Sequence, residues 1–207
     1  MLTSQTPSVF KTVLIYGYDP ICGWCYGAAP AVRAAAEIVP VHLVMAGLVV
    51  GERVGPAAAM ESYVRQSSQR LEEVTGRRPS EAFYKWMRSP GAVAASGPPA
   101  VAVDAVMRQR PEAALAFAHA VTEAHYAEGM DPNDPSSYAP LLQEHAPGVS
   151  LPDIRDPALA ERAFEEGKRI GISSFPTFAW QDDSGMRSLP TIYDPQEMQT
   201  MVKQLLG

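Results

Sequence analysis

Residues 12–30 read TVLIYGYDPICGWCYGAAP. The run Thr12 to Tyr18 is dense in β-branched and aromatic side chains, the composition of a buried strand. Asp19-Pro20-Ile21 forms a turn, and the alanine-rich stretch from Tyr26 to Val39 has high helix propensity. Cys22 and Cys25 therefore fall where a strand turns into a helix. Beyond that helix, Val41 to Val50 (VHLVMAGLVV) is nearly all apolar, as a strand covered on both faces of a parallel sheet requires. The chain thus begins β-α-β, with its paired cysteines at the first strand-to-helix turn.

Helical signals fill the middle of the chain. Met60, Tyr63, Val64, Leu71 and Val74 fall on one helical face, and Ser80 opens a short helix bearing Phe83, Trp86 and Met87. Pro98-Pro99 opens a helix toward Gln109, and Pro111 opens one that reaches Gly129. Asp134-Pro135 and Asp156-Pro157 each place an N-cap before a first-turn proline, and Gly171 closes the helix after Asp156. Met60, Tyr63, Trp86 and Met87 could line a groove, but their helical spacing favours a core role. Strand character returns at Pro176 to Gln181, turns at Asp182 to Gly185, and runs back from Met186 to Ile192. Asp194-Pro195 opens a last helix with Met198, Met201, Val202 and Leu205 as its buried stripe. This order predicts an α/β fold in which 1–50 and 151–207 form one domain and 51–150 an inserted helical domain.

Composition excludes several classes. Hydrophobic residues make up 46% and charged residues 19%, a globular balance rather than a disordered one. A net charge of −6 speaks against nucleic acid as a partner, because phosphates call for a basic surface. The N-terminal segment lacks a basic stretch followed by an apolar helix, so it reads as neither signal peptide nor membrane span, and a cytoplasmic location is expected.

The chain has two cysteines, three positions apart. A disulfide closing so small a loop constrains the unfolded chain little, so redox activity or metal binding is the better explanation. A zinc site would need two further ligands. His119 and His125 are six apart, outside the usual spacing of paired histidine ligands, and redox chemistry is preferred. No metal and no bound cofactor is expected. At a helix start, unpaired backbone N–H groups and the positive end of the helix dipole stabilise a thiolate. Cys22 is accordingly expected to be the nucleophile. Cys25, one turn further in, would be the more shielded thiol that resolves a mixed disulfide.

Cys22-Gly23-Trp24-Cys25 followed by Tyr26 to Pro30 resembles the thioredoxin active-site segment, including a proline five residues after the second cysteine. Ser174-Phe175-Pro176-Thr177-Phe178, at the start of the returning strand, resembles the segment that carries a cis-proline beside the cysteines in that superfamily. The long helical insertion is similar to that of the DsbA-like disulfide oxidoreductases, a group related to 2-hydroxychromene-2-carboxylate isomerases and kappa-class glutathione transferases. The resemblance implies a thioredoxin-like fold and substrate contacts at Gly23, Trp24, Phe175 and Pro176. Trp24 stands where thioredoxin has proline and strongly oxidising relatives have histidine, which leaves the redox potential open. Many relatives carry a proton-transferring acid beneath the buried cysteine. Asp19 is the candidate for that role by position, although capping the turn is its favoured one.

The expected function is thiol–disulfide exchange on protein or small-molecule thiols, glutathione among them. Two alternatives stand beside it. One is a glutathione-dependent isomerase or transferase of the same fold, against which the intact cysteine pair speaks. The other is a peptide-binding chaperone module whose cysteines are incidental.

Overall fold

The computed structural model describes residues 12–207; the N-terminal reading of 1–11 lies outside them. The chain opens with β1 (Val13–Tyr18), α1 (Gly23–Ala36) and β2 (Val41–Met45). A mostly helical stretch follows: β3 (Gly55–Pro56), α2 (Glu61–Thr75), α3 (Glu81–Met87), β4 (Val93–Ala94), α4 (Gly97–Gln109), α5 (Ala114–Glu128) and α6 (Ala139–His145). The chain closes with α7 (Pro157–Ile170), β5 (Thr177–Asp182), β6 (Gly185–Leu189) and α8 (Pro195–Leu206).

The main sheet has the order β2-β1-β5-β6. β1 and β2 are parallel, whereas β5 runs antiparallel to β1 with Tyr16 opposite Phe178 and Leu14 opposite Trp180. Every residue of β1 is buried, and its alternation divides two cores. Leu14, Tyr16 and Tyr18 join Phe178, Trp180 and the inner faces of α1, α5 and α8. Val13 and Ile15 face the other way, against Val44, Ala179, Ile170 at the end of α7 and Ile172 just beyond it. Burying aromatic and aliphatic side chains on both faces, at about 1.5–3 kcal/mol each, gives β1 no solvent side and explains its uninterrupted apolar composition. No described helix is long and apolar enough to cross a membrane.

Two expectations need correction. The strand from Val41 stops at Met45, not Val50. Gly47 takes a left-handed φ of +80°, which ends the strand, and the backbone N–H groups of Leu48 and Val49 go to the Asp19 carboxylate and the Ser96 hydroxyl. On α2, the inward stripe is Val64, Ser68, Leu71 and Thr75, while Tyr63 is 66% exposed and Val74 40% exposed. Ser68 and Thr75 return their hydroxyls to the Val64 and Leu71 carbonyls at 2.7 Å, so small polar residues sit inward at no hydrogen-bonding cost. Apolar periodicity passed over them. At this contact a Cβ on Gly27 would lie 2.6 Å from the Leu71 side chain, so glycine lets α1 and α2 approach closely.

Candidate active site

The end of β1 feeds a turn stitched from several sides. Asp19 is fully buried; its carboxylate accepts from the Ile21 N–H at 3.0 Å and the Leu48 N–H at 2.7 Å. Its backbone carbonyl accepts from the Cys22 N–H at 3.1 Å. Helix α5 holds the same turn from the opposite side. The Tyr126 hydroxyl donates to the Ile21 carbonyl at 2.6 Å, and the Thr122 hydroxyl reaches the Pro20 carbonyl at 3.5 Å.

Cys22 is the N-cap of α1, with extended backbone angles (φ −92°, ψ 114°). The first turn of α1 contains no acidic residue to compete for its free N–H groups. Cys22 is buried, yet it lines a groove of about 200 Å³, and its Sγ lies 3.6 Å from the Phe175 carbonyl oxygen. The Phe175–Pro176 peptide is cis. Cys25 lies behind it, 1% exposed, and both thiols are free. Burial pushes the Cys25 thiol well above its ordinary pKa, and the neighbouring Cys22 and Asp19 charges add to this while the Asp19 backbone opposes it. Asp19 is itself raised, chiefly by burial, against the hydrogen bonds that favour its charged form. Asp19 therefore caps the turn and also lies within electrostatic reach of Cys25.

Gly23, Trp24 and Phe175 line the groove together with Cys22. The Trp24 ring leans on Tyr193, 5.5 Å between centroids. Met60, Tyr63, Trp86 and Met87 line the same groove; the core role favoured from spacing holds for Trp86 and Met87, with Met60 packed against them, and fails for Tyr63, which is exposed. Trp86 Nε1 has no hydrogen-bond partner among the described residues, and its ring meets His125 edge-on at 4.6 Å.

Sequence reading missed the residues that support this constellation. Tyr126 and Thr122 lie about a hundred positions from the turn they hold, and no local spacing could relate them to it. Tyr16, whose hydroxyl is 3.4 Å from the Cys25 carbonyl oxygen, was legible only as a strand aromatic. Tyr193 is pushed up to about 12 by burial and by the two cysteines, so it stays a neutral hydroxyl beside them.

No family model and no curated protein matches the chain. Solved structures do. The cytosolic disulfide reductase DsbM from Pseudomonas aeruginosa is 28% identical, with 94% of this chain and 98% of that chain covered and a TM-score of 0.82. The structure of DsbM with GSH aligns at 26% identity over the same shares, with a TM-score of 0.80. A candidate protein disulfide isomerase from Nitrosomonas europaea shares the fold at 20% identity, with 95% and 97% covered and a TM-score of 0.70.

Proposed function

We propose that this chain, a DsbA-like thiol–disulfide oxidoreductase, reduces disulfides of proteins or small molecules through Cys22 and Cys25, with glutathione as its thiol partner. The observation that carries the reading is the placement of Cys22 at the helix start, lining an apolar groove and 3.6 Å from the carbonyl before the cis-proline.

In the forward reaction the Cys22 thiolate attacks one sulfur of a substrate disulfide. A Cys22–substrate S–S bond forms, the substrate S–S bond breaks, and the departing thiolate takes up a proton. Cys25 then loses its proton, with Asp19 as the nearby buried acceptor, and attacks the Cys22 sulfur. The second substrate thiolate leaves, and the enzyme holds a Cys22–Cys25 disulfide. Two molecules of glutathione restore the dithiol and depart as glutathione disulfide. Phe175 and Pro176 would guide the substrate backbone beside Cys22, while Gly23 and Trp24 would meet its side chains.

The reducing direction has a physical basis. A strongly oxidising pair needs a reduced state stabilised by its thiolate. Here Trp24 brings no charge to the site that would stabilise a thiolate on Cys22. A cytoplasmic location fits this direction and the cytosolic neighbour. A glutathione redox titration should place the pair between roughly −270 and −150 mV. A potential at or above about −120 mV, the DsbA value, would overturn the assignment as a reductase.

A further inference from the structure

Tyr16 and Tyr18 of β1 and Tyr126 of α5 are all buried near the cysteine pair. Two of these phenols are fully engaged. The Tyr18 hydroxyl donates to the Ala118 carbonyl at 2.8 Å and lies 2.6 Å from the Thr122 hydroxyl, and Tyr126 donates to the Ile21 carbonyl at 2.6 Å. Tyr16 is held differently. Its ring stacks on Phe178 at 5.5 Å and meets His119 edge-on at 6.2 Å, which fixes where the hydroxyl points. That hydroxyl is directed at Cys25, 3.4 Å from its carbonyl oxygen. An O–H···O bond is usually about 2.7–2.8 Å long, so little is lost when this hydrogen turns elsewhere.

Cys25 has to carry negative charge twice in the exchange cycle. It does so when it attacks the Cys22 sulfur, and again when a glutathione thiolate attacks Cys22 of the enzyme disulfide. In that second step the Cys22–Cys25 bond breaks and its electron pair goes to the Cys25 sulfur. Titratable groups around the Tyr16–Cys25 pair are Cys22 of α1, Asp19 of the turn, Tyr18 of β1, His119 and Tyr126 of α5, and Tyr193 before α8. None of these brings a positive charge near neutral pH, since burial first, then Arg33 and Arg77, hold His119 at about 3. A buried thiolate here depends on neutral donors. The Asp19 backbone acts in that sense on Cys25, against the larger effect of burial. Burial first, then Cys25, keep Tyr16 a neutral phenol, and a side-chain hydrogen bond with Cys25 is among the causes.

We infer that the Tyr16 hydroxyl steadies negative charge on the Cys25 sulfur, turning from the Cys25 carbonyl to the sulfur as that charge appears. The inference rests on the exchange reaction proposed above. The phenol keeps its proton throughout and lends only a hydrogen bond. It acts in both directions of the cycle, helping Cys25 as the attacking thiolate in resolution and as the leaving thiolate when glutathione opens the enzyme disulfide.

Tyr16→Phe keeps the ring stacked on Phe178 and gives up one long hydrogen bond, so the fold is retained. Reduced wild type and variant are mixed with an oxidised peptide, quenched in acid at intervals and analysed by intact-mass spectrometry. The mixed disulfide on Cys22 should form at the same rate in both. Its decay to the enzyme disulfide should be about tenfold or more slower in Tyr16→Phe. The infrared S–H stretch of Cys25, recorded in a Cys22→Ser background, should also shift on adding Tyr16→Phe, because the sulfur loses a hydrogen-bonding neighbour. Equal decay, or slower decay with an unmoved S–H band, would overturn the inference and leave disulfide exchange standing. Wild type that does not become oxidised at all would remove the exchange reading itself, and this inference with it.

Discussion

The Tyr126 hydroxyl donates a 2.6 Å hydrogen bond to the backbone carbonyl of Ile21, the residue immediately before Cys22. Tyr126 belongs to α5 and Ile21 to the turn after β1, so a helix of the central stretch fixes the approach to Cys22. Burial holds this phenol firmly in its neutral, donating form. Tyr126→Phe keeps the ring that stacks on Tyr26 but leaves the Ile21 carbonyl unpaired. It should cost about 1–2 kcal/mol of stability, a few degrees in melting temperature, and should slow alkylation of Cys22. Thermal unfolding and iodoacetamide kinetics check both. Wild-type values in each would mean that α5 does not hold the turn.

Asp19→Asn separates the two roles of that carboxylate. An amide oxygen can still accept from either Ile21 or Leu48, but its NH2 group cannot accept from the other. Stability near neutral pH should therefore fall by about 1–3 kcal/mol. The sign with pH follows from the raised native pKa of Asp19. The native state favours the protonated acid, so wild type holds this contribution below the ordinary carboxylate range and loses it as pH rises through the raised value. The gap between wild type and variant should narrow over that range in urea denaturation. If Asp19 also takes the Cys25 proton, the variant should resolve mixed disulfides more slowly in rapid-quench kinetics, and equal resolution rates would leave Asp19 a capping residue only.

His125 gives a pH signature of opposite sign. Burial depresses it from 6.5 to about 4, outweighing the help of its 2.9 Å contact with the Met130 carbonyl. The unfolded chain takes up a proton near pH 6.5 while the native protein does not. The stability is therefore present above that pH and is lost as pH falls toward 4, by roughly 3 kcal/mol for this depression. The His125 ring proton shift should stay at its neutral value in native protein at pH 5. A midpoint near 6.5 would contradict the buried placement.

Most of the scaffold was legible because local rules sufficed for it. Strand β1 announced itself through β-branched density, and α7 and α8 through Asp-Pro starts, where Asp156 and Asp194 do cap the helices. The cysteine pair and Pro176 were found by short motifs. What escaped depends on distance in the chain or on polar residues turned inward. Apolar periodicity could not anticipate that Ser68 and Thr75 would face the interior while Tyr63 faced the groove. Leu48 and Val49 read as strand because their apolar side chains conceal where their N–H groups go, which is to Asp19 and Ser96. The dual position of Trp86 and Met87, buried yet lining the groove, becomes visible only once α3 and α5 are assembled.

The proposed division of labour, attack by Cys22 and resolution by Cys25, is tested most directly by intact-mass spectrometry of two variants after exposure to an oxidised peptide. Cys25→Ser keeps the attacking thiol and removes the neighbour one turn away, whose high effective concentration drives resolution. It should accumulate a mixed disulfide on Cys22. Cys22→Ser should form no adduct, because the remaining thiol does not line the groove and burial holds it protonated. An adduct on neither variant, or equal adducts on both, would contradict attack by Cys22 and resolution by Cys25.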